Sequence, residues 1–203
     1  MPSAPSPSRP RLVLATLNRA KARELAALLR DLPWELVGLA DLPGASLPEE
    51  TGATYQENAL LKARHAAGLA GARALADDSG LEVDALGGAP GVQSARYGGP
   101  GLDDAGRCAL LLRALAGVPP ARRTARFRCV IALADPDGRA EVVEGLVEGR
   151  ITEAPRGAHG FGYDPVFFYP PRGRTFAELS LEEKARVDHR GRAVRAARRL
   201  LGG

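Results

Sequence analysis

The order in which the hydrophobic period changes along this chain limits its fold more than any single residue does. Residues 11–16 (RLVLAT) form an apolar run that ends at a polar turn, after which Ala22, Leu25, Ala26, Leu28, Leu29 and Leu32 recur at helical spacing. This is a strand, a tight loop and a helix. Residues 34–39 read as a second strand, 55–67 as a helix with Ala59, Leu60, Ala63 and Ala67 on one face, and 73–77 as a short strand that delivers Asp77-Asp78-Ser79-Gly80 at its end. Two β-rich runs follow at 125–134 and 141–148, joined by Asp135-Pro136-Asp137-Gly138, a hairpin signal. Early β-α alternation followed by an antiparallel hairpin predicts an α/β protein on a mixed sheet.

Glycine-rich loops are expected at 87–101 and 156–164, a helix at 102–116 opened by Asp103 and Asp104, and a strand at 165–169. Ser180-Leu181-Glu182-Glu183 fits a capping box that opens a helix carrying Lys184, with helical character continuing to Leu201 after a break near Asp188. At 203 residues and 45% hydrophobic, the chain can bury one good core but not two comfortable ones, so residues 11–203 are expected to form a single domain, open to two lobes. Residues 1–10 (MPSAPSPSRP) hold four prolines and no apolar run, which predicts a disordered tail and neither a signal peptide nor a membrane anchor. No later stretch approaches the roughly 18–20 apolar residues of a membrane span. A soluble, cytoplasmic protein is expected. Cys108 and Cys129 have neither a CxxC partner nor a histidine at ligand spacing and read as reduced core residues.

Of 28 basic side chains only three are lysine: Lys21, Lys62 and Lys184. Where arginine has otherwise replaced lysine, the survivors mark places that need a compact ammonium rather than a wide guanidinium fork, as a cramped phosphate site does. Asparagine is equally scarce, and Asn18 and Asn58 each lie three or four residues before a lysine.

Three groups of residues carry candidate chemistry. At Thr16–Lys21 a strand enters a helix whose first amides attract anions, with Asn18 and Lys21 as directed donors; alternatively Asn18 is an ordinary N-cap. Glu49-Glu50 and Asp77-Asp78 supply acids that a fold could bring together around Mg²⁺, which takes one or two carboxylates plus substrate phosphates; the plainer reading of Asp77-Asp78 is an acidic turn, and Glu57 reads as a helix-start residue. Gly160-Phe161-Gly162-Tyr163-Asp164-Pro165 offers a ring that can stack on a base beside an acid that can accept from it, or simply a turn with a core Phe. The C-terminal arginines, Arg186, Arg190, Arg192, Arg195, Arg198 and Arg199, form a stripe that charge alone describes as a solvated helix face.

Taken together these segments resemble one family. The ordered set Thr16-x-Asn18-x-x-Lys21, Glu50-Thr51-Gly52, Glu57-Asn58-Ala59-x-x-Lys62-Ala63, Ala76-Asp77-Asp78-Ser79-Gly80-Leu81, Leu86-Gly87-Gly88-Ala89-Pro90-Gly91, Ser94-Ala95-Arg96-Tyr97, Gly160–Pro165 and Lys184-x-x-x-x-His189-Arg190 is similar to the inosine triphosphate pyrophosphatase family over residues 11–201. The resemblance implies a long mixed sheet flanked by helices, two lobes and a central cleft, commonly as a homodimer. It implies Mg²⁺-dependent hydrolysis of ITP, dITP and XTP to the monophosphate and pyrophosphate, with no nucleic-acid or membrane partner. By the same resemblance Thr16, Leu17, Asn18, Arg19, Ala20 and Lys21 hold the triphosphate with help from Lys62. Glu50, with Glu49 as the alternative, and Asp78 bind metal; Asp78 is also the proton acceptor. Ser79 touches substrate, and Phe161, Gly162, Tyr163, Asp164, Lys184, His189 and Arg190 enclose base and sugar.

Three positions in two motifs depart from the family pattern: Leu17 stands where glycine is usual, and Ala185 and Asp188 replace Asn and Ser of the last motif. The Asp188 exchange suggests a shared helix-capping role, since Ser and Asp are both strong N-caps. Maf-type nucleotide pyrophosphatases are a neighbouring reading that the Phe161–Asp164 and His189-Arg190 segments disfavour. An arginine-rich RNA-binding module is a reading of a different class; it accounts for the C-terminal arginines but not for the ordered acids.

Overall fold

The computed structural model describes residues 9–203, so the expected tail lies outside it apart from Arg9 and Pro10. Pro10 already belongs to the fold, because its carbonyl accepts from the Glu35 amide at 2.9 Å. Strand β1 (Arg11–Leu14) runs parallel to both β2 (Glu35–Gly38) and β3 (Arg73–Val83), and the sheet then turns antiparallel through β4 (Thr124–Ala134), β5 (Ala140–Ile151), β6 (Phe167–Tyr169) and β7 (Arg174–Thr175). The resulting order, β2-β1-β3-β4-β5-β6-β7, is the mixed sheet that the alternation and hairpin predict. Five α-helices accompany it: α1 (Arg19–Leu29), α2 (Tyr55–Ala70), α3 (Asp104–Ala114), α4 (Leu181–Val187) and α5 (His189–Leu200).

One strand is longer than its sequence suggests. β3 does not stop at Asp77 but continues to Val83, paired with β4 from Ala74↔Ala134 to Val83↔Ala125. Asp, Ser and Gly are poor strand formers, yet the backbone ladder to β4 is indifferent to side chains and carries the strand through them. Asp77 and Asp78 therefore lie in mid-strand, not at a strand end.

The core explains the shape. On one face of the sheet α1 and α5 cover Leu12, Leu14, Leu75 and Ile131; on the other α2 covers Val13, Ala74, Ala76 and Val130. Ala59, Ala63, Ala66 and Ala67 of α2 are fully buried, so this helix lies close to the strands. A third apolar cluster gathers at the far end of the long strands, where Leu81, Phe127 and Phe167 meet Cys108 and Leu111 of α3. Between the clusters β3 carries only Asp77, Asp78, Ser79 and Gly80. That polar stretch is the waist of a two-lobed body.

Candidate active site

Successive strand side chains point to opposite faces, so Asp77 and Asp78 do not form a pair. Asp77 faces α1 and α5, with Lys21 Nζ 3.1 Å from its Oδ2 and Arg190 donating to the same oxygen from Nε at 3.3 Å and Nη2 at 3.2 Å. Asp78 faces α2, accepting from Asn58 Nδ2 at 3.1 Å, with Lys62 Nζ 3.5 Å away. Lys62 also donates to Glu50 Oε1 at 2.6 Å, and Arg96 meets the other Glu50 oxygen at 3.3 Å. Two neighbouring acids thus escape mutual repulsion because each has its own lysine on its own side of the sheet. Burial works against the charge of both. For Asp77 the Lys21 and Arg190 charges outweigh it and hold the carboxyl well below its usual range, whereas for Asp78 burial wins over Lys62 and Lys21 and pushes the carboxyl up.

Asn58, singled out by scarcity without a role, ties two parts of the site together. Its Oδ1 accepts from the Gly52 amide at 2.8 Å while its Nδ2 serves Asp78, which fixes the loop carrying Glu50 beside that aspartate. A Cβ on Gly52 would sit 2.6 Å from Asn58 Oδ1, so this contact requires glycine. Glu49 is exposed; Glu50 is the acid that meets Lys62. Glu57 completes a capping box with Thr54 at the start of α2, in line with its helix-start reading.

At the mouth of α1, Asn18 is the N-cap: its Oδ1 accepts from the amides of Ala20 at 2.9 Å and Lys21 at 3.2 Å. Thr16 Oγ1 accepts from the Asn18 amide at 3.1 Å. Leu17, Asn18 and Arg19 are exposed, Ala20 is half-buried, and Lys21 reaches inward to Asp77.

Behind this loop lies a buried ionic network. Lys184 donates to Asp164 at 2.8 Å and to Glu24 at 3.0 Å; Arg190 donates to Glu24, to Asp77, and to Ser79 Oγ at 3.1 Å. Arg190 is only 1% exposed, which corrects its assignment to a solvated stripe. Burial disfavours the Lys184 ammonium, but Asp164 and Glu24 more than compensate and keep it charged. His189 stacks on Phe127 with ring centroids 4.6 Å apart, and its Nδ1 has no partner. Burial, reinforced by the Arg190 and Lys184 charges, lowers its pKa well below 6.5, so the ring is neutral at pH 7. Asp188 caps α5 by accepting from the Gly191 amide at 2.7 Å.

Phe161 lies over two of these cations, with Lys184 Nζ 4.9 Å and the Arg190 guanidinium carbon 5.6 Å from its centroid. Asp164 accepts from the Phe161 amide at 3.0 Å, and Gly160 gives it room, since a Cβ there would lie 2.1 Å from Asp164 Oδ2. Tyr163 turns its hydroxyl to the Ser94 carbonyl at 2.8 Å. The cleft between the lobes has a cavity volume of about 220 Å³ and is lined by Asn18, Ser79, Phe161, Gly162, Tyr163, Asp164, Lys184, His189 and Arg190 among others. Glu50, Lys62 and Asp78 stand apart from its lining, toward α2. Glu24 is absent from the sequence-based candidates, and Asp77, expected either beside Asp78 among the acids around Mg²⁺ or in an acidic turn, instead serves the interior face. The available signal for Glu24 was its place one helical turn after Lys21, and for Asp77 the period of two.

Among the described residues no three of His, Cys, Asp and Glu gather into an all-protein metal cage, and no helix is long and apolar enough to cross a membrane. The fold and site define a class: a two-lobed α/β protein whose waist sets lysines and carboxylates beside a cleft with an aromatic wall. The chain belongs to the Ham1 family, whose model matches residues 12–200. It is 51% identical to the dITP/XTP pyrophosphatase of Desulforamulus reducens over 94% of this chain and 95% of that protein. It is 56% identical to the dITP/XTP pyrophosphatase of Thermus thermophilus over 92% and 89%. A HAM1 protein from Coxiella burnetii superposes with a TM-score of 0.86 at 44% identity, covering 95% of this chain and 98% of that one. The family and fold read from the motifs are borne out.

Proposed function

We propose that this protein hydrolyses the non-standard purine nucleoside triphosphates ITP, dITP and XTP to the monophosphate and pyrophosphate, with Mg²⁺. The observation that carries the reading is the arrangement of the scarce lysines: Lys21, Lys62 and Lys184 each pair with acids around one waist, two at β3 and one beneath the Phe161 ring. Catalysis of phosphoryl transfer is positioning and charge neutralisation, and these ammonium groups stand where they can meet phosphate charge. The Ham1 relatives that bear the name dITP/XTP pyrophosphatase, at more than half identity over nearly the whole chain, support the same reaction.

Mg²⁺ fits the residues present. Glu50 and Asp78 both lie within reach of the one Lys62 ammonium, and a donor set of two carboxylates without a full cage suits an ion that keeps waters and takes phosphate oxygens. When bound there, Mg²⁺ would neutralise phosphate charge and make the attacking water more acidic. The Asp78 carboxylate, whose proton affinity burial raises, is the group placed to accept the proton of the water that attacks the α-phosphorus. Lys21 and Lys62 hold the triphosphate, the positive end of the α1 dipole favours its charge, and the purine stacks on Phe161. Lys184 lies over one face of the Phe161 ring, and Asp164 and neutral His189 line the same cleft. A 6-oxo purine offers an N–H of neutral His189 an acceptor, whereas adenine presents its own amino donor and leaves it unpaired.

The homodimer and the cytoplasmic location implied by the resemblance belong to this proposal, and a sedimentation measurement tests the first. The function is tested by a panel of nucleoside triphosphates assayed for pyrophosphate release, with Mg²⁺ and with excess EDTA. Release from ITP, dITP and XTP in Mg²⁺ alone is expected; equal release from ATP, or activity in EDTA, would contradict the proposal.

A further inference from the structure

The loop that carries Phe161 is built from residues that do not hold themselves in place. Gly160 and Gly162 flank the ring at φ +77° and +62°, so the backbone on either side has glycine's freedom and must be restrained by its contacts. On one side the restraint is Asp164, which accepts from the Phe161 amide and is itself fixed by Lys184. On the other side both polar groups of Gly162 are taken by α3. Its amide donates to Asp104 Oδ2 at 2.7 Å, and its carbonyl accepts from Cys108 Sγ at 3.4 Å. The carboxylate contact is the stronger of the two, being charge-assisted where the thiol is a weak donor. Asp103, not Asp104, caps the helix through the Gly106 amide at 2.7 Å, so the Asp104 carboxylate is not spent on α3 itself. Its remaining neighbour is Arg107, 3.7 Å away and screened by solvent.

The geometry points to Asp104 as a positioning residue for purine recognition, acting through the Gly162 amide on the Phe161 ring; this rests on the function proposed above. α3 packs into the far lobe through Cys108 and Leu111, while Asp164 and Lys184 connect to α1 through Glu24. The ring is therefore clamped from both lobes. Its place in the cleft depends on how the lobes stand to each other, and Asp104 is the far lobe's charged hold on it. Sequence reasoning gave Asp104 no role beyond opening a helix.

The test uses Asp104→Ala and Asp104→Asn, with Phe161→Ala as the reference. Asp104→Ala is expected to raise KM for ITP about tenfold, the worth of one charge-assisted hydrogen bond, with kcat little changed. Inhibition by inorganic tripolyphosphate, which has no base, stays at the wild-type level, and Asp104→Asn, whose amide oxygen still accepts from Gly162, recovers most of the loss. In a Phe161→Ala background Asp104→Ala adds nothing, since the two act as a unit. A wild-type KM for Asp104→Ala, or a full additional loss on top of Phe161→Ala, would overturn the assignment. Hydrogen exchange at the Gly162 amide, measured without substrate, separates this inference from the proposed function. Faster exchange in Asp104→Ala supports the restraint whatever the substrate is, and unchanged exchange refutes it.

Discussion

Asp77 and Asp78 show how one residue of register gives two identical side chains different work. Asp77 is wholly enclosed, held ionised by Lys21 and Arg190, and serves the interior; Asp78, bonded to Asn58 and facing Lys62 and Glu50, is the acid whose proton affinity burial has raised. Asp78→Asn is expected to abolish turnover while nucleotide affinity stays within about tenfold, because on the proposed mechanism it removes the base and one metal charge but no triphosphate donor. Steady-state kinetics and equilibrium binding check this, and near-normal turnover would remove Asp78 from its role. On the proposed mechanism the base works deprotonated, and burial raises its pKa above the ordinary 3.8 in the metal-free protein, so kcat/KM, which reports the free enzyme, falls with acid along a limb centred above that value. A limb at or below it would contradict the assignment. Lys62, 4% exposed between Glu50 and Asp78, fills a space suited to a compact ammonium. Lys62→Arg keeps the charge but not the shape, and kcat/KM for ITP is expected to drop by about tenfold or more. Wild-type kinetics in that variant would make lysine scarcity a false guide.

At the scale of elements, the α4–α5 junction and the C-terminal arginines belong to one device. Asp188 ends α4 and caps α5, and Gly191 allows the two helices to meet, since a Cβ there would lie 1.8 Å from the Ala185 carbonyl oxygen. The capping role that the Asp-for-Ser exchange suggests is present in the structure. Asp188→Ser is expected to be nearly neutral and Asp188→Ala to lose about 1 kcal/mol in denaturant unfolding, with equal losses in both contradicting a capping role. Further along α5, Arg195 donates to the Ala185 and Arg186 carbonyls, Arg192 to the Val187 carbonyl, and Arg198 to the Leu28 carbonyl and Asp31. These guanidinium groups close the C-terminal ends of α4 and α1, where the helix dipole favours cations. Arginine density is visible in a sequence, but which arginines are already spent is not. Filter binding with single-stranded RNA in EDTA is expected to retain nothing at physiological salt; retention would favour the RNA-binding reading.

For the whole molecule, what was legible in the sequence is what depends on near neighbours. The β-α alternation, the Asp135–Gly138 hairpin, the helix-start place of Glu57 and the capping box at Ser180 follow from local period and turn chemistry, and all are present. The length of β3 was hidden because Asp77–Gly80 reads as a turn until β4 lies beside it. Glu24 was hidden for a different reason: its partners Lys184 and Arg190 are 160 and 166 residues away, and its place one turn after Lys21 does not announce a buried acid that joins the first helix to the last two. The scarce lysines did point to the waist, because a position that demands an ammonium is a constraint on residue type rather than on sequence distance. On the proposed mechanism the waist activates water against the α-phosphorus, and hydrolysis of ITP in water enriched in heavy oxygen puts that to the test. Mass spectrometry should find the label in the nucleoside monophosphate and none in the pyrophosphate; label in the pyrophosphate would place the attack on the β-phosphorus and contradict the account.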